Sequence, residues 1–346
     1  MMKGREIVFL AVAFVAGAFL GDLVPFSAAV YLTAAALSSL VSCLFRKDIT
    51  FLLSFVLLGA AALQIERIPG ADAESQLTVW AAALQARFSS FLETLVPPGE
   101  DLAVLKALAI GDRSDLTGDI RSIYKTSGAM HFLALSGLHV GIIYAFMKRL
   151  LSLLGGYAVS RVLRSSFTLA FLWFFALVSG FGPSIARAVT MITVHELSGA
   201  VSGTRNAPAS MAASALLITM LRPESPLDIG FQLSYSAVIS IYLILPRLKS
   251  LLYTESLLLG YVWSALCLAI SCQATCGVLA WFYFGTFPRY FLLTNLMVVP
   301  IGTAVMYLIA VALPASAILP LSGIASTVME SAIHLLNWLV RTIASL

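Results

Sequence analysis

The sequence predicts an all-α membrane fold, a polytopic bundle of about ten or eleven transmembrane helices with short interfacial helices. Three observations predict it. Of the 346 residues, 60% are hydrophobic and only 11% charged, against roughly 25% charged in a soluble domain, and mean hydropathy is +0.96. The apolar residues gather into runs near the length of about 20 that crosses a bilayer as a helix. The basic residues gather at alternate ends of those runs. This excludes an ordinary soluble enzyme or binding domain.

The runs lie at 7–24, 26–45, 50–65, 131–151, 164–181, 184–202, 206–221, 228–246, 256–283, 290–313 and 324–345. They divide the chain into an N-terminal three-helix membrane segment (1–65), an extracytoplasmic linker with amphipathic or interfacial helices (66–130), and a transmembrane domain (131–346). Lys3 and Arg5 ahead of the first run, with small residues at Ala16 to Ala18, imitate a signal peptide. The two apolar runs that follow at once favour a retained first span. A cytoplasmic N-terminus puts Lys3, Arg5, Arg46, Lys47, Lys148, Arg149, Arg161, Arg164, Arg205, Arg247 and Lys249 on the inner side and only Arg222 and Arg289 in the short outer loops. That asymmetry fits the positive-inside rule, so the net charge of +4 reports topology rather than a nucleic-acid partner. Cys43, Cys267, Cys272 and Cys276 all fall in apolar runs. They read as small packing residues, since zinc normally takes four ligands and no histidine or carboxylate lies beside the Cys272–Cys276 pair.

Between the third and fourth runs, Glu66 to Ser75 reads as a turn or linker. From Gln76, Leu77, Trp80, Leu84, Phe88, Phe91 and Leu95 recur at three- and four-residue steps opposite Gln85, Arg87, Ser89 and Glu93. The spacing predicts an amphipathic helix, lying on the outer membrane–water boundary or packed on the protein itself. Pro97 and Pro98 end it. Glu100 and Asp101 suit the first turn of a next helix, which Gly111 would stop. The polar stretch GDRSDLTGDI then makes a turn, with Thr117 an N-cap for a helix ending at Gly128.

Four places could carry function. In HFLALSGLHV, Ser136 and His139 share a helix face, His131 stands about 80° away around an ideal helix, and Gly137 permits close approach or a local break. Taken singly, each histidine reads first as a buried structural one. Arg187, in GPSIARAVTM near the outer membrane end, forms a stripe with Met191 and His195, with Glu196 alongside. It either snorkels to the interface or lines a path for anions. In SPLDIGFQLSYSAVIS, Ser225 caps, Pro226 takes the first helical position and Asp228 completes a capping box. Gln232, Ser236 and Ser240 follow as a polar stripe, which interhelical hydrogen bonding alone could also explain. Glu330, His334, Asn337 and Arg341 share one face of the last run, placed at the interface in preference to a pore. HELSG at 195–199 lacks the second histidine of a zinc-protease motif, and no phosphate-binding loop or nucleophile elbow occurs. No enzymatic activity, cofactor or metal is expected.

Taken together, GDRS at 111–114, TSGAMHFLALSGLHVG at 126–141, GPSIARAVTM at 182–191 and DIGFQLSYSAV at 228–238 resemble the competence domain of the ComEC family. The resemblance runs in the family's order from about Leu102 to about Pro300. It covers Gly111, Asp112, Arg113, His131, Ser136, Gly137, Leu138, His139, Arg187, Met191, Asp228, Gly230, Phe231, Gln232, Leu233 and Ser234. Asn295 and Pro300, in NLMVVP, are similar to a later family element. It implies an inner-membrane channel of bacteria that admits single-stranded DNA during natural transformation, with residues 131–346 as its competence-type domain. His131, Ser136, Gly137, His139, Arg187, Gln232 and Ser236 would then line or gate the path. Gly111, Asp112, Arg113, Asp228, Gly230, Phe231, Asn295 and Pro300 would be structural.

Family members commonly carry an OB-fold domain where only the 66–75 linker stands here, and many end in a metallo-β-lactamase-like domain whose HxHxDH motif this sequence lacks. A separate DNA receptor, helicase or motor, and nuclease are therefore expected as partners, and self-association is compatible with the fold. The physics suits the role, because a strand bearing one charge per nucleotide needs cationic and hydrogen-bonding groups to cross hydrocarbon. Phe231 and Tyr235 could add stacking. Two other readings remain: a transporter of a small anionic solute that keeps the same architecture, and a membrane enzyme using Ser136 and His139.

Overall fold

The computed structural model describes residues 4–24, 26–45, 53, 56–58, 60, 76–153, 161–202, 206–285, 290–316 and 322–346. The 66–75 linker and most of the third apolar run lie outside them. Among the described residues there is no strand. In chain order the helices are α1 (Gly4–Leu23), α2 (Ala28–Phe45), α3 (Gln76–Leu95), α4 (Glu100–Ile110), α5 (Gly118–Thr126), α6 (Met130–Leu133), α7 (Gly137–Leu153) and α8 (Arg161–Val178). There follow α9 (Pro183–Ser202), α10 (Ala207–Leu221), α11 (Ile229–Leu243), α12 (Leu245–Lys249), α13 (Leu257–Cys272), α14 (Val278–Phe284), α15 (Phe291–Ser316) and α16 (Ser322–Ala344).

Among the described residues, four helical stretches are long and apolar enough to cross a bilayer: Glu6–Leu23, Ile229–Lys249, Leu257–Phe284 and Phe291–Val311; Leu163–Val178 and Ala207–Leu221 are apolar but shorter. The chain is an all-helical membrane protein, and among the described residues these stretches are fewer than the apolar runs of the whole sequence. Two local causes are visible. The run at 131–151 is broken at Ala134–Ser136, and α9 carries Arg187, His195 and Glu196 within its 20 residues.

The chain forms two compact units, Met1–Glu74 with Thr190–Ile239, and Ser75–Val189 with Ser240–Leu346. In the first, α1 packs along α10 and the 3₁₀ turn Ser225–Leu227. Gly17 and Gly21 of α1 lie against Val56 and Ala60: a Cβ on Gly17 would overlap the Val56 backbone, and one on Gly21 would stand 2.9 Å from the Ala60 carbonyl oxygen. Small residues four apart permit this approach in a membrane, where close packing replaces the hydrophobic drive. Asn206 caps α10 by accepting from the Ala209 amide at 3.1 Å. Ala215, Phe231 and Tyr235 form a core with Met191, Met211 and Ile218. The Ser214 and Tyr235 hydroxyls meet there at 3.1 Å.

The capping expected at Ser225 is corrected. Ser225–Leu227 is a 3₁₀ turn, and Asp228 itself caps α11, its Oδ2 accepting from the Phe231 amide at 3.3 Å. The proline-led turn ends before the helix can start, so the carboxylate falls at the cap instead of three residues into the helix.

In the second unit α4 is the central element, buried from Leu102 to Ile110 and packed by α3, α6, α15 and α16. A helix apolar all round belongs inside. Lys106 is its exception, 6% exposed, with Nζ 2.9 Å from Glu93 Oε1 on α3 and 2.6 Å from Asp115 Oδ2 in the following loop. The hydrogen bond from Lys106 holds the Asp115 carboxyl below its ordinary range. Burial pulls the Lys106 amine down, but its hydrogen bonds to Asp115 and Glu93 outweigh that and raise it.

The segment after α4 follows its sequence signals. Gly111 ends α4 in the left-handed region at φ 73°, Asp112 Oδ1 accepts from the Ser114 amide and hydroxyl at 3.0 and 2.7 Å, and Thr117 caps α5 by accepting from the Ile120 amide at 3.3 Å.

On the polar face of α16, Asn337 is buried while Glu330, His334 and Arg341 are exposed. Asn337 accepts from the Tyr124 hydroxyl at 2.6 Å and donates to Asp101 Oδ1 at 2.6 Å. His334 Nδ1 lies 3.3 Å from Asp101 Oδ2, and Arg341 pairs with Glu100. The acidic first turn of α4 attracts this basic, amide-bearing face. Burial, then the Asp101 carboxylate, pushes the Tyr124 phenol above its ordinary value, so it remains a donor.

Candidate functional site

The site is built on the break in the fourth apolar run. α6 lasts four residues, Ala134 is extended (φ −87°, ψ 105°), and α7 starts at Gly137. The break cancels the ideal-helix angle between His131 and His139 and gives Ser136 and His139 a local task. The Ser136 carbonyl accepts from the His139 amide at 3.1 Å. In return His139 Nδ1 lies 3.2 Å from both the Ser136 amide and the Ser136 hydroxyl. This is the return half of a capping box, with histidine in the glutamate position and the Ser136 carbonyl rather than its hydroxyl taking the His139 amide.

An Nδ1 that accepts from an amide leaves the ring proton on Nε2, a tautomer assigned from the hydrogen-bond network. His139 is wholly buried, and its Nε2 has no partner among the described residues. Phe132 stands edge-on to it at 5.0 Å between ring centroids. His131 lies at the surface, Nδ1 3.0 Å from the Gly128 carbonyl.

Other motif segments close around this break. Phe132 is fully buried against Gly302 of α15, where any Cβ would overlap its ring. Thr294 of the same helix donates to the Ser127 carbonyl, while Asn295 donates to Phe291 in its own helix at 2.7 Å. A Cβ on Gly111 would stand 2.8 Å from Leu135 Cδ1 and 3.5 Å from the Ser179 carbonyl oxygen. Gly180 (φ 72°) and Phe181 (φ 53°) end α8 with two successive left-handed residues. The Gln85 amide lies against Gly180 and donates to the Ile110 carbonyl at 2.7 Å. This sharp turn delivers the chain into α9. There Arg187 is buried, and a Cβ on Gly137 would meet the Ala188 methyl at 3.5 Å.

Segments at 111, 127–139, 179–188 and 294–302 thus meet within one unit, bringing together Gly111, Ser136, Gly137, His139 and the start of α9 with Arg187. Asp112 and Arg113 stay in the loop. Arg113 is exposed, its carbonyl accepting from Arg121 at 3.0 Å. Pro300 sits on α15, two residues before Gly302.

Asp228, Gly230, Phe231, Gln232 and Ser236 belong to the other unit. There Gln232 Nε2 donates to the Pro226 carbonyl at 3.0 Å and Ser236 to the Leu233 carbonyl at 3.1 Å. Phe231 and Tyr235, expected as stacking faces, are core residues of that unit, 5% and 7% exposed. Ser240, counted in the second unit, donates to the Ser271 carbonyl.

Sequence reasoning missed Lys106, Phe132, Gly302 and Gln85. Lys106 had a signal, a lone cation in the apolar stretch LAVLKALAI. The Phe132–Gly302 contact spans 170 residues and had none.

Chemically, the second unit offers a buried guanidinium and a buried imidazole N–H, both of which favour anions. The competence protein family model matches residues 108–346. ComE operon protein 3 of Bacillus subtilis (strain 168) is 30% identical over 161 residues, which are 46% of this chain and 20% of that protein. The chain therefore matches only a fifth of that relative's length. No solved structure matches. All of the gathered motif segments lie inside the 108–346 match, which takes in well over half of the sequence: the chain belongs to the competence protein family.

Proposed function

We propose that this chain is the membrane-conducting part of a DNA-uptake system, moving single-stranded DNA across the bacterial cytoplasmic membrane without itself catalysing a reaction. The carrying observation is the gathering of four separated motif segments in one unit, around His139 and beside the start of α9 with Arg187. Membership of the competence family and likeness to ComE operon protein 3 support the same reading. A buried N–H without a partner among the described residues, such as His139 Nε2, is costly in a membrane protein unless it meets an acceptor or a polar path. A few such groups suit a strand that must enter and leave, since tight binding would stall it. The basic inner loops favour a cytoplasmic N-terminus.

The test is import of labelled DNA into the cytosol by cells whose only copy carries Arg187→Ala or His139→Ala. Each variant removes one charge-assisted or buried donor, so import should fall about tenfold at normal protein level. Normal import by both normally expressed variants would remove this core from the pathway.

A further inference from the structure

The longest apolar stretch, Leu257–Phe284, is interrupted near its middle by a π turn, Gln273–Gly277, between α13 and α14. Single π turns inside α-helices recur at functional sites because they loosen the backbone ladder and re-aim side chains. This one falls where the span's polar groups cluster, Ser271, Gln273 and Thr275, beside the thiols Cys272 and Cys276, neither of them in a disulfide. The serine is accounted for: Ser271 donates to the Cys267 carbonyl at 2.7 Å, and its own carbonyl accepts from Ser240.

Gln273 differs. Its Nε2 is buried and has no acceptor among the described residues. Glycine at position 277 leaves room for the amide where it stands, since a Cβ there would lie 2.7 Å from Nε2 and 2.9 Å from Cδ and push it aside. A buried donor left unpaired costs more than a made hydrogen bond returns, and an apolar side chain of like size would be neutral or stabilising. The packing therefore gives no reason for an amide here.

The geometry points to the Gln273–Gly277 π turn as a hydrogen-bonding site within the membrane for the phosphate oxygens of the cargo, with the Gln273 amide as donor; this rests on the DNA-conducting role proposed above. Phosphate oxygens are acceptors only and recur along a strand whatever its sequence. A neutral amide holds them weakly enough for release.

The experiment uses the full chain in lipid vesicles with Cys43, Cys267 and Cys272 changed to alanine. Cys276 is then the sole thiol, three residues from Gln273. A membrane-impermeant maleimide reports water access, and a single-stranded oligonucleotide or inorganic phosphate is the competitor. Labelling from the aqueous phase is expected, slowed by the oligonucleotide. Gln273→Leu should weaken that protection about tenfold, the worth of one hydrogen bond to a charged acceptor. It should not lower thermal stability. Gly277→Ala, which displaces only the flexible end of Gln273, should act in the same direction. An unlabelled Cys276, or protection by the oligonucleotide that both variants keep, overturns the site; the latter leaves the DNA-conducting role standing. Gln273-dependent protection by phosphate alone upholds the anion site and overturns DNA as cargo.

Discussion

Lys106 gives a prediction with opposite outcomes for the two sides of one interaction. It is the cation of a buried helix, while its partners Glu93 and Asp115 are each half exposed, with side chains 50% accessible. Removing the lysine leaves two carboxylates that water can reach, and exposed pairs are worth only about 0–1 kcal/mol each. Lys106→Met, which keeps the aliphatic volume, should therefore cost about 1 kcal/mol or less. The double variant Glu93→Gln, Asp115→Asn leaves the ammonium buried without a counter-charge and should cost about 3–5 kcal/mol. Thermal unfolding of the purified chain in detergent, followed by near-UV circular dichroism, should show a small shift for the first and a large one for the second. Equal losses, or a larger loss for Lys106→Met, would refute the reasoning.

The pH dependence follows the same triad. Asp115 titrates lower in the folded chain, so its contribution is present above its ordinary value of 3.8 and is lost as pH falls through the lowered one. Lys106 titrates higher, so its contribution is present below 10.5 and is lost as pH rises through the raised value. The triad should hold across neutral pH and fail only at the extremes.

Three further substitutions probe the packing around the break. Gly302→Ala places a methyl in the Phe132 ring and should cost about 1–3 kcal/mol as an overpacked core, read by the same unfolding assay. Gly111→Ala forces a Cβ into the left-handed region at φ 73° and against Leu135, which should cost about 1–2 kcal/mol. Tyr124→Phe deletes the hydroxyl that donates to Asn337 at 2.6 Å and should lower stability by about 1 kcal/mol, detectable as faster hydrogen exchange where α16 meets α5; unchanged exchange would show that the buried pair does not hold this contact.

Local chemistry was the legible part of the fold. The helix from Gln76, its end before Pro97, the Gly111 stop and the Thr117 cap are each set by residues within a turn of the feature they make, and each stands where the spacing places it. Asp228 shows the limit, since choosing between capping box and cap depends on whether Pro226 opens an α-helix or a 3₁₀ turn. A run of apolar residues does not reveal a break such as Ala134–Ser136.

For the candidate site, the motif order named segments at 111, 126–141 and 182–191 that the fold brings together, and one at 228–238 that belongs to the other unit, but their junctions did not show. Leu135 against Gly111 and Phe132 against Gly302 are contacts across long stretches of chain, without a periodic trace in either partner. The α16 stripe is similar: its spacing does not show that Asn337 alone of the four is buried, between Asp101 and Tyr124.

The central claim is that a DNA strand passes by the core where α7 begins. The direct measurement is site-specific photocrosslinking during uptake in living cells, with the probe at Gly137, exposed at that helix start, and a control probe at Leu257, 92% exposed on an apolar span. Imported single-stranded DNA crosslinked at 137 and not at 257 is the predicted result. No crosslink at 137 while DNA still enters the cell would contradict it.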